Sequence, residues 1–370
     1  MEIVVIGAGI IGLATAWRTA ARGAAVTLVD PDPCGGATAV AAGMLAPVGE
    51  LAYGEEELLR LGLESRGRYP DFVAELEEQT GLNAGYHGAG LVQVAYDADD
   101  FAQLTELRTF QESLGIPVVA LTGREARELE PMLAPGVRGG LFAADDGSVD
   151  PRLLAPALLA AAEKLGARVV RRRAAEVIVT GGRAAGVRLD DGTELSADRV
   201  LLAAGAWSGD VGGLPPGTLP PVRPVKGQVL RLRARGPFLT RTVRGLVRGS
   251  HVYLVPRADG EIVVGATQEE LGFDDRVTAG GLWELLRDAR DLVPGVTELE
   301  FAEVRAGLRP GSPDNAPVMG AAEGVPGLVL ATGHFRNGVL LAPVSADVLT
   351  AALLDGTVPD VGVPFLPSRF

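Results

Sequence analysis

The sequence predicts an α/β protein in which a discontinuous Rossmann-like domain is interleaved with an α+β domain carrying an antiparallel sheet. Three observations predict it. The chain opens strand, glycine-rich turn, helix, strand within about 30 residues. Short apolar runs of the buried parallel type return in the middle and at the end of the chain. Runs of the antiparallel type lie between them, beyond a Pro- and Gly-rich stretch at 212–224. A chain of 370 residues is also too long for one ordinary core.

The elements follow in order. Ile-Val-Val-Ile at 3–6 is an apolar strand bounded by Gly7, 10–22 an Ala- and Leu-rich helix stopped by Gly23, and 25–30 the second strand. Residues 55–80 read as helices with charged outer faces, 91–96 as a strand, 101–114 as an amphipathic helix and 124–129 as a short helix ended by Pro131. A helix over 151–165 leads to a strand at 167–170, a hairpin of 175–180 with 185–189 across Gly181-Gly182, and a buried strand at 199–203. Runs at 228–232, 252–256 and 261–266 form the antiparallel set, 282–292 a helix, 327–331 a last buried strand and 339–354 a last helix. No internal repeat is present. The pattern divides the chain into 1–80, 150–212 and 306–370 for the first domain and 81–149 with 213–305 for the second.

Composition narrows the function. A formal net charge of −13 repels phosphate backbones, which argues against nucleic acid as a partner. The single Cys34 and three scattered histidines (His87, His251, His334) offer no disulfide and no metal-ligand spacing. No basic leader precedes the first strand, and the Leu153–Leu165 run is broken by Pro156 and Glu163. The expectation is a cytoplasmic protein with no membrane partner and no metal.

Gly7-Ala8-Gly9-Ile10-Ile11-Gly12 is a G-x-G-x-x-G fingerprint in its proper context, with a strand before, a helix after, and Asp30 closing the next strand. Gly7 allows the tight turn, Gly9 the approach of a pyrophosphate, and Gly12 the packing of helix on strand. The helix start supplies free N–H groups, and Asp30 is placed to accept from a ribose hydroxyl. The fingerprint does not choose between dinucleotides. A small-residue run at 35–44, with Thr38 inside it, lets backbone lie against a flat ligand. Residues 198–208 bring a second strand and small-residue turn past the same place.

With the AAGML run at 41–45, HVYLVPR at 251–257, VVGAT at 263–267, AGLRPGSPDNAPVMG at 306–320 and GHFRNGVLLAP at 333–343, the chain resembles the FAD-dependent amino-acid oxidase family of D-amino acid oxidase, sarcosine oxidase and glycine oxidase. The likeness is greatest to glycine oxidase of the thiamine-biosynthesis type. It implies oxidative deamination of glycine by hydride transfer to flavin N5. The products are an imine and glyoxylate, ammonia and hydrogen peroxide, with the imine supplying thiamine thiazole synthesis. An oxidase or dehydrogenase of sarcosine, proline or D-amino acids is the alternative, and a non-catalytic flavin-binding sensor a further one. The partners implied are a small amino acid and oxygen, with a homo-oligomer, tetrameric in relatives. The FAD is expected to be noncovalent, because 306–343 has no Cys to attach it.

The resemblance assigns the cofactor site to Gly7, Gly9, Ile10, Ile11, Gly12, Asp30, Pro31, Ala37, Thr38, Ala42, Gly43, Met44, Ala175, Ala204, Gly205, His334, Phe335, Arg336, Asn337, Gly338, Val339 and Leu340. The helix that opens after His334 would turn its free N–H groups toward the flavin N1–C2=O end. Arg309, rigidly held between Leu308 and Pro310, suits bidentate capture of a carboxylate, or else a structural ion pair; the resemblance favours the carboxylate. Tyr253 is a second ligand for that carboxylate or a core aromatic. His251 shares its strand face and lines the pocket or is structural. Arg336 lines the pocket or pairs elsewhere. Gln268 stands where relatives carry a methionine that narrows the pocket, and Asp30 where they more often carry Glu. No acid–base pair or nucleophile stands out, and hydride transfer requires none.

Overall fold

The computed structural model describes all 370 residues. Its first sheet has six strands, in the order Val318–Ala321, Leu328–Thr332, Arg199–Leu202, Glu2–Ile6, Ala25–Val29, Arg168–Val170. Every neighbouring pair is parallel except the first, which is antiparallel. Because side chains alternate along a strand, each apolar run feeds two cores. Ile3, Val5, Leu201 and Val329 pack against the helices Ile10–Ala21, Glu56–Thr80, Pro151–Lys164 and Gly338–Leu354. Val4, Ile6, Val200 and Leu202 pack on the opposite side, against the three-stranded sheet of Ala174–Thr180, Arg183–Leu189 and Glu194–Ser196. Both faces are covered, so these strands read as continuous hydrophobic runs.

The expected helices over 55–80 are one helix, Glu56–Thr80, which passes through Pro70. The final helix corrects the run-length reading of the sequence. Phe335–Leu354 is apolar and long enough to cross a membrane by length and composition, with mean hydropathy 1.6. It is buried on nearly every side among the neighbouring helices, which is why it is apolar all round.

The second large sheet has eight strands, in the order Glu300–Gly311, Arg223–Arg233, Glu261–Gly265, Ser250–Pro256, Thr242–Val247, Leu91–Ala95, Gly139–Ala143, Val119–Thr122. Thr242–Val247 and Leu91–Ala95 run parallel, and the other neighbours antiparallel. One face buries Val92, Leu230, Leu254, Ile262 and Val264 beneath the helix Ala279–Leu292. The other face meets the small-residue run near position 40: Val229, Val255 and Val263 pack against Ala42, Val40 and Met44. Strand Glu300–Gly311 pairs along its whole length with Arg223–Arg233, so the boundary drawn at 306 falls inside a strand of the antiparallel sheet. The strands Val119–Thr122, Gly139–Ala143, Gly147–Val149, Thr242–Val247 and Val318–Ala321 were not expected.

Candidate functional site

A cavity of about 700 Å3 runs from the fingerprint turn, past the ends of the parallel strands, to the open face of the antiparallel sheet. A ligand crevice at the carboxyl ends of parallel strands is what this topology provides.

At the nucleotide end the backbone leaves no room for side chains. Gly7 has φ +102, and a Cβ there would sit 2.3 Å from the Ala203 carbonyl oxygen. A Cβ on Gly12 would sit 2.0 Å from the Gly7 oxygen, so Gly12 serves helix packing and does not itself line the cavity. The helix Ile10–Ala21 starts at Gly9 with no side-chain cap and no acid in its first turn, an arrangement that receives an anion. Thr38 accepts from the Ile10 amide at 3.0 Å, which leaves its own O–H to donate. Asp30 is held by two amides, Ala8 N at 2.6 Å and Asp32 N at 2.8 Å. Its carboxylate is thus fixed at the cavity wall by contacts that the sequence did not announce.

Pro31, Ala37, Ala42, Gly43, Met44, Ala175, Ala204 and Gly205 all line the same cavity. Two arginines hold the small-residue run by its carbonyls. Arg152 Nε donates to Ala39 O at 3.0 Å, and Arg257 Nη2 donates to Ala42 O. A backbone cradle with this glycine turn, an uncapped helix start and a long apolar-walled cavity fits a dinucleotide with a flat ring system.

At the helix start, His334, Phe335, Arg336, Gly338 and Val339 line the cavity, whereas Asn337 and Leu340 do not. Those last two turn away, toward Pro47 and toward Leu59 on the long helix Glu56–Thr80. His334 is buried, its Nε2 within 3.0 Å of Ser345 Oγ, and burial pushes its pKa down to about 3. Arg336 is committed: its Nη2 pairs with Glu55 at 2.5 Å and reaches the Glu50 carbonyl at 3.3 Å.

Arg309, Tyr253, His251 and Gln268 meet at the far end. Arg309 donates only to backbone carbonyls, Thr267 O at 3.1 Å and Lys226 O at 3.4 Å, and has no carboxylate within ion-pair distance. The nearby Lys226 is satisfied by Glu269 at 2.9 Å. The guanidinium lies over Gly227, where a Cβ would be 2.3 Å from both terminal nitrogens. The Tyr253 hydroxyl lies likewise over Gly265 on the adjacent strand, 2.3 Å from where a Cβ would be. Two glycines thus let the guanidinium and the phenol lie flat across the sheet toward each other. Burial raises the Tyr253 pKa to about 12 despite Arg309, so the phenol keeps its proton and can donate. His251 is pushed down to about 4 by burial, Arg244 and Arg336, and is neutral near pH 7. Sequence reasoning missed Arg244, Gln93, Glu50 and Trp207, which also line the cavity. Arg244 and Gln93 arrive through the pairing of Thr242–Val247 with Leu91–Ala95, for which no local motif exists.

Known proteins agree with this architecture. The glycine oxidase of Geobacillus kaustophilus is 35% identical over 357 residues, covering 96% of this chain and 93% of that protein. The crystal structure of glycine oxidase from Geobacillus kaustophilus superposes with a TM-score of 0.91 at 33% identity, covering 100% of this chain and 98% of the other. The bifunctional protein ThiO/ThiG of Trichormus variabilis is 34% identical over 371 residues, covering all of this chain and 55% of that protein. The chain therefore spans about half the length of the bifunctional relatives it matches. The family model described as DAO, FAD dependent oxidoreductase, matches residues 2–352, and the chain belongs to that FAD-dependent family.

Proposed function

We propose that the protein catalyses the FAD-dependent oxidative deamination of glycine, giving an imine that hydrolyses to glyoxylate and ammonia, with oxygen reduced to hydrogen peroxide. The observation that carries this reading is Arg309, a guanidinium without an acidic partner beside a protonated tyrosine, at the end of a dinucleotide cavity. Arg309 and Tyr253 take the substrate carboxylate through charge-assisted hydrogen bonds. This fixes the α-carbon over the cavity, and orientation is the main task left to the protein. Enclosure favours the neutral α-amine from which hydride can leave. His251 is neutral at that pH and adds no charge to the site. Bound FAD supplies the two-electron acceptor and the reaction with oxygen. It is held noncovalently by the fingerprint turn, Thr38, Asp30 and the helix start after His334. Cys34 does not line the cavity, and burial and Asp30 push its thiol up to about 11.

The likeness to ThiO/ThiG supports use of the imine in thiazole synthesis for thiamine. Cytoplasmic location and a homotetramer belong to the same reading, as does the division of the chain into a cofactor domain and a substrate domain. Gln268 at the cavity wall favours a second reading, in which sarcosine or a small D-amino acid is also turned over.

Purified protein should be yellow, and anaerobic glycine should bleach it. Arg309→Met should keep the flavin and lose about 2–5 kcal/mol of substrate binding, read as a KM raised by roughly 1.5 to 3.5 orders of magnitude. A variant with near-normal kinetics would remove Arg309 from the site. Glycine inert beside a well-used larger D-amino acid would remove glycine as the substrate.

A further inference from the structure

We propose that Glu269 is a positioning residue for the substrate anchor: gripped behind the sheet by Thr267, Gln228 and Lys226, it fixes the two carbonyls that aim Arg309 into the cleft. The inference rests on the reading of Arg309 as the anchor for the substrate carboxylate.

Hydrogen bonding is the first support. Arg309 has two acceptors, Thr267 O at 3.1 Å and Lys226 O at 3.4 Å. The side chains of the same two residues donate to Glu269, Thr267 Oγ1 to Oε1 at 2.6 Å and Lys226 Nζ to Oε2 at 2.9 Å. Gln228 Nε2 donates to Glu269 Oε1 at 2.7 Å, and the Gln228 amide donates to Thr267 Oγ1 at 2.9 Å. Backbone pairing closes the ring: Lys226 N donates to Glu269 O at 2.8 Å, and Glu269 N to Lys226 O at 2.9 Å. One carboxylate thus ties together both residues whose carbonyls Arg309 touches.

Sidedness is the second support. Gly227 and Arg309 line the cavity, whereas Lys226, Gln228 and Glu269 do not. Faces alternate along a strand, so the guanidinium lies over Gly227 on the open side while the network occupies the closed side. Gln268, between Thr267 and Glu269, lines the cavity. The Lys226 side chain is fully buried, and its ammonium has a further acceptor in Arg276 O at 3.2 Å. Burial works against the Glu269 carboxylate, but the bonds from Thr267, Gln228 and Lys226 hold it below the usual carboxylate range. Gln228 extends the network to a helix start. Its amide oxygen accepts from Thr278 N at 2.8 Å, and Thr278 caps the helix Ala279–Leu292 by accepting from Gly281 N at 3.2 Å.

The arrangement suits an anchor. A long arginine side chain loses rotamer freedom when it is ordered. Ordering it on fixed carbonyls before the ligand arrives removes that cost from binding. The carbonyls carry no net charge, so the guanidinium keeps its charge for an incoming carboxylate. A buried ion pair such as Lys226–Glu269 is weak as a source of stability, and fixing one arrangement of the groups around it is the role left to it.

Acetate, a carboxylate with no amine to oxidise, is the probe. Its dissociation constant from the oxidised holoenzyme is read from the flavin's visible absorption. Glu269→Ala should weaken acetate about tenfold, the effect of one well-placed hydrogen bond to a charged group. The glycine KM should rise alike, with kcat within about twofold and FAD retained, because ground state and transition state lose the same binding. Lys226→Met, which strands Glu269 without its cation, should do the same. The double variant Lys226→Met/Glu269→Gln strands no charge and keeps an amide oxygen for Thr267 and Gln228. It should bring acetate back to within about threefold of wild type. Thr267→Val removes one hydroxyl and keeps both charges, so it reads the same link if the larger lesions fail to fold; acetate should weaken about threefold or more.

Unchanged acetate binding in Glu269→Ala, or in Thr267→Val where Glu269→Ala does not fold, overturns the positioning role. So does a double variant as weak as Lys226→Met alone, or a kcat that falls while KM stays. If Arg309→Met weakens acetate and Glu269→Ala does not, the positioning role alone fails. If Arg309→Met also leaves acetate binding in place, the anchor reading fails with it.

Discussion

Each residue at the proposed substrate end is defined by what it lacks. Arg309 lacks an acid, Tyr253 lacks a hydrogen-bond acceptor for its proton, and His251 lacks a charge near pH 7. Tyr253→Phe removes one donor and should cost about 1.5–3 kcal/mol of carboxylate binding, a glycine KM raised roughly 10- to 100-fold with flavin retained. A KM within twofold of wild type would make Tyr253 an ordinary core aromatic. With its pKa near 4, His251 should set no break between pH 5.5 and 8 in kcat/KM, and His251→Asn should leave the shape of that profile in place. At this scale the sequence was informative where a residue sits in a distinctive string. Arg309 and Tyr253 were singled out by the family resemblance, since their rigid or apolar surroundings alone left an ion pair and a core aromatic open, and Gly7 and Gly12 by their spacing. Arg244 was not, because Thr-Val-Arg-Gly-Leu-Val was not itself recognised as a strand, and the cleft lies on the side that only sheet pairing defines.

Among the elements, the parallel strands were legible because both of their faces are buried and their runs are unbroken. Several antiparallel strands were hidden by the residues that make them fit. Gly139-Gly140 reads as a turn, yet a Cβ on Gly140 would lie 2.4 Å from the Gln93 carbonyl oxygen, so the strand needs the glycine that disguises it. The small-residue run at 35–44 was legible, but the supports of the loop that follows its helix Gly36–Val40 were not, because they come from distant strand and helix ends. Arg257 donates to Ala42 O and to Val149 O at 3.2 Å and faces Asp150, which also caps the helix Pro151–Lys164. Arg257→Met leaves two buried carbonyls and a carboxylate without their cation. The loop should loosen, with FAD binding weakened by about tenfold or more while Arg309-dependent KM effects persist in the residual holoenzyme. Titration of apoprotein with FAD measures it, and an unchanged Kd would show that the loop holds its shape without the clamp.

For the whole molecule, burial sets two kinds of proton linkage against each other. His334 resists protonation in the fold, with a pKa near 3, while an unfolded histidine charges below about 6.5. As pH falls through that window the unfolded chain binds a proton that the native one refuses, so this group takes stability away. Asp146 and Glu130 act in the opposite sense. Burial raises both, Asp146 to about 6, although Asp146 accepts from the Gly49 amide and Glu130 from the Thr240 and Arg241 amides. The native state therefore takes up their protons first, and a cost present above pH 6 is relieved as pH falls toward the usual carboxylate value. The two contributions overlap in a wild-type melting curve, and difference curves separate them. The Tm of His334→Asn minus that of wild type should become more positive between pH 6.5 and 4.5, because the variant has lost a penalty. The Tm of Asp146→Asn minus that of wild type should become more negative over the same range, because only the wild type gains as its carboxyl protonates. Thermal melts at half-unit pH steps read both. Two flat or parallel difference curves would mean that the cavity wall at His334 and the Gly49 turn admit water freely, against the burial on which the shifts at His334 and Asp146 depend.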